Sequence, residues 1–354
     1  MAPRPSLLTH QVRFAHLPSG AHIAWARSGC LGGPVLLRAG HWMTHVEQDL
    51  RSPLWRPLIE RLGRTFELVR YDERGFGLST GDDVELGVAP AVEELECVAA
   101  AHGAQRFALL GISGGAAAAI GFAARHPQRV SHLVLLGGST HGSLHRSPTA
   151  DTLAYFEAQV RLVELGWGRN DPGVQQLFTS RFMPGGNTDQ WASFNEHQRL
   201  SCNGHRAAAL LRARAGADVR EQARGLTVPT LVLHSEGDLA VPLALGQDMA
   251  ATIPGARFEI LASRNHIPLY PELALERLCQ AITEFVTPAA ASAALTGAER
   301  ELGALVAKGL DNLQIAAHLG LAEKTVRNRL SALYARLDVE GRAMAVVKTR
   351  ELGL

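Results

Sequence analysis

Residues 107–115, Phe-Ala-Leu-Leu-Gly-Ile-Ser-Gly-Gly, constrain this chain more than any other stretch. An apolar run of strand length ends in Gly-x-Ser-x-Gly, and an alanine-rich helical pattern from Ala116 to His126 follows at once. That is the sequence of a nucleophile elbow, in which a strand turns sharply into a helix and the serine rides the turn. Gly111 and Gly115 are needed because helix and strand pack too closely there for a side chain. Ser113 is then held at the tip with its hydroxyl free, under the positive end of the following helix.

The flanking sequence supplies the sheet that such a turn requires. Residues 11–27 alternate polar and apolar, which predicts two antiparallel strands. Buried strands are expected at Pro34–Leu37, Phe66–Tyr71, Val130–Leu136, Thr230–His234 and Arg257–Leu261, with helices at Pro53–Leu62 and Ala89–Ala101 between them. Alternating strands and helices predict an α/β fold with a doubly wound, mostly parallel sheet. From about 141 to 225 the strand rhythm stops. A helical insertion at that point reads as a cap, carrying Trp167, Phe178, Phe182, Met183, Trp191 and Phe194. Most of these are expected to pack the cap's own core, with one or two facing a pocket.

Two loops complete a constellation. The strand at 230–234 runs into Ser-Glu-Gly-Asp238-Leu-Ala-Val-Pro, and that at 257–261 into Ala-Ser-Arg-Asn-His266-Ile-Pro. Ser113, Asp238 and His266 all fall in loops after strands, so all point off one sheet edge. Their order, with Asp-x-Arg-Gly-x-Gly-x-Ser at Asp72–Ser79, makes residues ~10–286 resemble an α/β-hydrolase. The resemblance implies Ser113 as nucleophile, His266 as base and Asp238 as the acid that orients it. It implies an oxyanion hole from the backbone N–H groups of Gly114 and His41, with Trp42 next in line for the second donor. Trp42, Ile112 and His141 are the expected pocket residues. Arg74, Gly75, Gly77 and Asp72 read as shaping a turn beside the pocket.

Composition adds bounds. The net charge is +1, and the four cysteines are far apart with no CxxC pair, so they read as thiols of a reducing, cytoplasmic compartment. The N-terminus has no apolar signal-peptide stretch, and the longest apolar run, around Gly114–Ala124, is too short to span a bilayer. No cofactor loop is evident, and the spacings His41/His45 and His141/His145 lack the acidic helical partner of a metal site.

The last sixty residues change character. Residues 287–294 form a Pro/Ala/Ser linker between a first domain at 1–286 and a second at 295–354. Thr296-x-x-Glu299 and Asp311-x-x-Gln314 are helix-opening capping boxes, and Gly309 and Gly320 are stops. A third helix is expected from about Glu323 to Leu337. Val326, Leu330, Leu333 and Leu337 make its apolar stripe, and Lys324, Arg327, Asn328 and Ser331 line the opposite face, flanked by Thr325, Arg329 and Arg336. Arginine and asparagine suit base edges in the major groove; the other cations and hydroxyls suit phosphates. The segment resembles the LuxR-type helix-turn-helix, which implies double-stranded DNA as partner and a homodimer as the binding form. Ala322 stands where that family usually places a serine N-cap.

Taken together, the chain resembles bacterial regulators in which an α/β-hydrolase domain precedes a LuxR-type domain. Three functions then compete: a transcriptional regulator that binds, with or without turnover, a small ester or lactone; an esterase or lactonase with an accessory DNA-binding domain; and a regulator whose first domain is an inert scaffold. The intact Ser/Asp/His set argues against the third, and the first is the reading favoured here over the second.

Overall fold

The computed structural model describes residues 11–354 apart from 82–84, 168, 170, 288–294, 338, 340 and 352–353. Most of the expected linker at 287–294 therefore lies outside the described residues. The chain forms two compact units, Met1–Val286 and Thr287–Leu354.

The first unit is built on one eight-stranded sheet: β1 (Gln11–His16), β2 (His22–Gly29), β3 (Val35–Arg38), β4 (Glu67–Tyr71), β5 (Phe107–Ile112), β6 (Val130–Leu136), β7 (Thr230–Ser235) and β8 (Arg257–Leu261). Their spatial order is 1-2-4-3-5-6-7-8. β1–β2 and β2–β4 are antiparallel and every other pair is parallel. β5 and β7 are buried along their whole length, as expected of strands covered on both faces.

The period-2 alternation of side chains decides which face each residue serves. On one face Leu36, Ala108, Leu110, Ile112 and Val134 pack beneath α1 (Trp55–Leu62) and α10 (Leu273–Val286). On the other, Leu37, Leu109 and Leu135 pack against α2 (Val88–His102), α3 (Gly115–Arg125) and α9 (Leu243–Thr252). The small residues Ala116 to Ala119 are all buried and let α3 press onto β5. A Cβ at Gly111 would stand 2.8 Å from Ala119 Cβ, which is why that position carries no side chain.

Between β6 and β7 the described residues form five cap helices: α4 (Ala150–Gly166), α5 (Pro172–Phe182), α6 (Thr188–Ser201), α7 (Gly204–Ala215) and α8 (Arg220–Arg224). Thr149, Asp171, Asn187 and Asn203 cap the first four through their side chains. Each such cap stabilises its helix by about 1 kcal/mol.

The second unit contains α11 (Gly297–Ala307), α12 (Asn312–Leu319), α13 (Glu323–Leu337) and α14 (Arg342–Glu351). Both expected capping boxes are formed, and Gly309 and Gly320 adopt φ of +81° and +64°. Leu302, Leu305, Ile315, Val326, Leu330, Leu333 and Ala345 make the core. The α14 helix, which supplies Ala345, is a fourth helix beyond the three expected from the sequence.

Candidate active site

The turn after β5 has the strain a nucleophile elbow demands. Ser113 is one of only three non-glycine positions among the described residues with positive φ, at +53°. A serine in that region is held there by its surroundings. Its N–H donates to the Leu136 carbonyl at 2.8 Å, and its own carbonyl accepts from Ala116 N–H at 3.1 Å. Ser113 and Gly114 are half-buried at the N-terminus of α3.

Asp238 and His266 emerge from the loops after β7 and β8 and meet. His266 Nδ1 and Asp238 Oδ2 are 2.6 Å apart, and both side chains are buried. Asp238 Oδ1 accepts from the N–H groups of Ala240 and Val241 at 2.8 and 2.9 Å. Burial pushes the Asp238 carboxyl up, but the His266 charge and hydrogen bonds from His234, His266 and Val241 outweigh it. The group is held well below the usual carboxylate range. An ionised carboxylate can only accept, so Nδ1 of His266 carries the proton and Nε2 is left with its lone pair. Nε2 is buried and has no hydrogen-bond partner, so Ser113 and His266 face one cavity without being bonded to each other.

The loop after β3 lies directly over the elbow. A Cβ on Gly115 would come within 2.4 Å of the Gly40 carbonyl oxygen. The N–H groups of His41 and Gly114 have no hydrogen-bond partner among the described residues. The Trp42 N–H is instead taken by His41 Nδ1 at 2.7 Å. The His41 ring is buried against Trp55 at 4.3 Å. Burial, then the Arg38 charge, pushes its imidazole well below the ordinary histidine value.

Two cavities meet at Ser113. A slot of about 20 Å³ is lined by His41, Trp42, Trp55, Ile112, Ser113 and His266 among others. It opens beside a cavity of about 520 Å³ that reaches under the cap and includes Gly114 and His141. The larger space is the one able to hold a small organic molecule. Trp42 links them: its ring meets Phe182 at 5.5 Å and Phe178 at 5.1 Å, and its Nε1 donates to Gln198 at 3.0 Å. The cap's contribution exceeds the sequence expectation. Phe178, Phe182, Met183 and Phe194 all line cavity wall, because α5 and α6 lie over Trp42 and His266 and their apolar faces are shared with the site.

Several supporting residues carried no sequence signal. Arg214 of α7 reaches the buried Glu73, and His234 stands 3.4 Å behind Asp238. Asp49 binds Arg38 and Arg70, each at 2.6 Å, under the His41 loop. Asp72 accepts from the N–H groups of Val46 and Leu78 and so pins the turn it was expected to shape. Among the described residues no three His, Cys, Asp or Glu side chains are grouped to hold a metal ion, and no helix is long and apolar enough to cross a membrane.

In the second unit, Val326, Leu330 and Leu333 of α13 are buried, while Lys324, Arg327, Asn328, Arg329 and Ser331 are exposed and Thr325 is half-buried. Arg327 pairs with Glu323 one turn earlier at 2.7 Å, and Ser331 donates to the Arg327 carbonyl. Arg336 is turned to Glu299 of α11, which removes it from the free cationic face. The helix starts on backbone bonds to the Ala322 carbonyl.

An eight-stranded sheet with a strained serine after its fifth strand, and a His–Asp pair after its last two, defines an α/β-hydrolase fold with a hydrolase-like site. Residues 50–273 match the family of that fold, and residues 293–349 match the family described as bacterial regulatory proteins, luxR family. The chain therefore belongs to the α/β-hydrolase fold family and carries a C-terminal LuxR-type DNA-binding domain. It is 29% identical over 223 residues to a protein of Cronobacter turicensis named "Putative carbamate hydrolase RutD", covering 60% of this chain and 78% of that one. The Caulobacter sp. K31 protein of that name is 28% identical over 229 residues, with the same coverages. A hydrolase from Pseudomonas aeruginosa PA01 superposes with a TM-score of 0.65 at 21% identity, covering 78% of this chain and 98% of that one. The enol-lactonase of Burkholderia xenovorans LB400 gives 0.64 at 20% identity, with 78% and 100% covered. At these identities the structural likeness speaks for the fold alone.

Proposed function

We propose that this chain is a transcriptional regulator whose hydrolase domain binds and cleaves a small ester- or lactone-like molecule. The observation that carries the reading is the strained Ser113 facing the same cavity as the unpartnered His266 Nε2, in one chain with a LuxR-type domain. Turnover begins when Ser113 turns its hydroxyl onto Nε2. The oxygen attacks the carbonyl carbon as His266 takes the proton, and Asp238 stabilises the imidazolium. The N–H groups of Gly114 and His41 receive the tetrahedral oxyanion. His266 then returns the proton to the departing alkoxide, and water repeats the sequence on the acyl-enzyme. Carbamates join esters and lactones as candidates, because the RutD relatives are named for that group.

Ligand control of DNA binding requires different ligand affinities in the DNA-competent and incompetent states. A thermal-shift screen of esters, lactones and carbamates, repeated with operator DNA, finds such a ligand. Ser113→Ala abolishes hydrolysis and leaves DNA affinity intact without ligand. A purified protein that neither cleaves short acyl esters nor reacts with a serine-directed phosphonate removes the enzymatic half of the proposal. Equal operator affinity with and without every stabilising ligand removes the regulatory half.

A further inference from the structure

The larger cavity beside Ser113 is lined by Arg146, Arg181, Arg214 and His141, and among the described residues no acidic side chain lines it. Arg214 is compensated by Glu73. The other two arginines have no carboxylate partner among the described residues. Arg146 Nη2 donates to the His141 carbonyl at 2.9 Å and to Ser139 Oγ at 3.2 Å, and the contact of Arg181 is Tyr155 Oη at 3.5 Å. The cap is not short of acids. Arg161, Arg199, Arg212, Arg220 and Arg224 each pair with an Asp or Glu on its outer faces. Arg146 and Arg181, both exposed, stand at the cavity without such a partner among the described residues.

Arg146 is also tied close to the chemistry. Its anchors, Ser139 and His141, follow β6 directly, and the preceding Gly138 abuts the elbow, where a Cβ would stand 3.2 Å from the Ser113 carbonyl oxygen. Burial, then the Arg146 charge, pushes His141 below its ordinary value, so the imidazole adds a polar wall without charge. In the same lining, Trp42, Phe156 and Phe178 offer apolar surface for a short chain. A guanidinium that faces a partly desolvated cavity without a counter-ion is offset by an anionic ligand, and its planar fork matches a carboxylate.

We propose that this cavity selects molecules carrying a carboxylate in addition to the group presented to Ser113, with Arg146 as its anchor and Arg181 reinforcing it. The inference deepens the hydrolase reading by naming the ligand class, and rests on it only for the second group.

The test uses two probes that the site cannot readily cleave, N-butylsuccinamate and its uncharged primary amide, titrated calorimetrically into the full chain. The wild type binds the anion about tenfold more tightly than the amide, as for a partly exposed ion pair with two cations. That preference shrinks at high salt. Arg146→Gln removes most of the preference, and Arg146→Lys restores part of it. Equal affinity for the two probes, tighter binding of the amide, or no binding of the anion at millimolar concentration overturns the proposal. So does an unchanged preference in both Arg146→Gln and Arg181→Gln. Should Arg146→Gln fail to fold by circular dichroism, the wild-type comparison and Arg181→Gln decide. Turnover plays no part in this readout. An anion preference in a protein that neither cleaves short acyl esters nor reacts with the serine-directed phosphonate would sink the hydrolase reading alone, and a reactive protein without the preference would sink this one alone.

Discussion

Arg214, on the last turn of α7, reaches Glu73 at 2.5 Å across 141 residues of chain, and the same Nη2 donates to the His41 carbonyl at 3.2 Å. The Arg214 side chain also packs over Gly114, where a Cβ would stand 2.7 Å from its Cδ. One cap arginine thus touches both residues whose N–H groups are proposed to hold the oxyanion. The cap's grip on the sheet and the shape of the elbow are set by the same contact.

Removing one member of that pair is expected to cost more than removing both. Arg214→Gln leaves the Glu73 carboxylate buried without its counter-ion, and a loss of about 2–3 kcal/mol follows, discounted because Arg214 is partly exposed. The double variant with Glu73→Gln recovers a substantial part of it. Urea unfolding of the four proteins in a double-mutant cycle measures the coupling. Strict additivity would show that the pair does not fasten the cap.

Behind Glu73 lies a second buried carboxylate. Burial, then repulsion from Glu73, pushes Glu94 up to about 7 despite its hydrogen bonds from Arg74. The folded chain therefore holds this proton more tightly than the unfolded chain. Both states are protonated below the ordinary glutamate range. Between that range and about pH 7 the unfolded state loses the proton first, so this group's contribution falls as pH rises through about 7. Subtracting the pH profile of Glu94→Gln from that of the wild type, by urea unfolding between about pH 5 and 8, isolates a downward slope. A flat or rising difference overturns the assignment.

What was legible in the sequence was local or ordered along the chain. The elbow announces itself within nine residues, the capping boxes within four, and the order Ser113, Asp238, His266 needs no knowledge of distance. Parallel strands read as apolar runs because both faces are covered. Pairings across long separations left no trace: nothing about Glu73 names Arg214, and His234 reads as one more residue of a buried strand. The cap aromatics were underestimated at the cavity for the same reason, since period alone gives a helix a face but not the surface that face meets. Arg336 failed differently. Its position suits the DNA-facing side, and only the packing of α11 brings Glu299 within 2.9 Å of it.

The Asp238–His266 contact leads to a kinetic expectation. Asp238→Asn keeps a side chain of the same shape but offers His266 Nδ1 an amide, which no longer enforces the productive tautomer. The turnover number for a short ester is expected to fall by roughly 10⁴-fold with the fold intact. The residual rate rises with pH as hydroxide replaces the general base. A loss of less than tenfold in stopped-flow or steady-state assays would mean that Asp238 does not orient the base.

The last expectation concerns α13, where Arg327 is held by Glu323 at 2.7 Å. A guanidinium committed to a carboxylate must leave it before it can read a guanine edge, and Glu323 itself repels phosphate. Glu323→Gln is therefore expected to tighten operator binding several-fold at low salt. Arg327→Ala relaxes base preference by about 1–3 kcal/mol at the position it reads. Lys324→Ala or Arg329→Ala, whose side chains are exposed, weakens all DNA alike and lowers the slope of affinity against salt by about one. Fluorescence anisotropy over a salt series separates these outcomes. If Glu323→Gln weakens binding, the pair serves to position Arg327 on the DNA and does not compete with it. If all four variants keep the wild-type slope and specificity, α13 is not the helix that meets the groove.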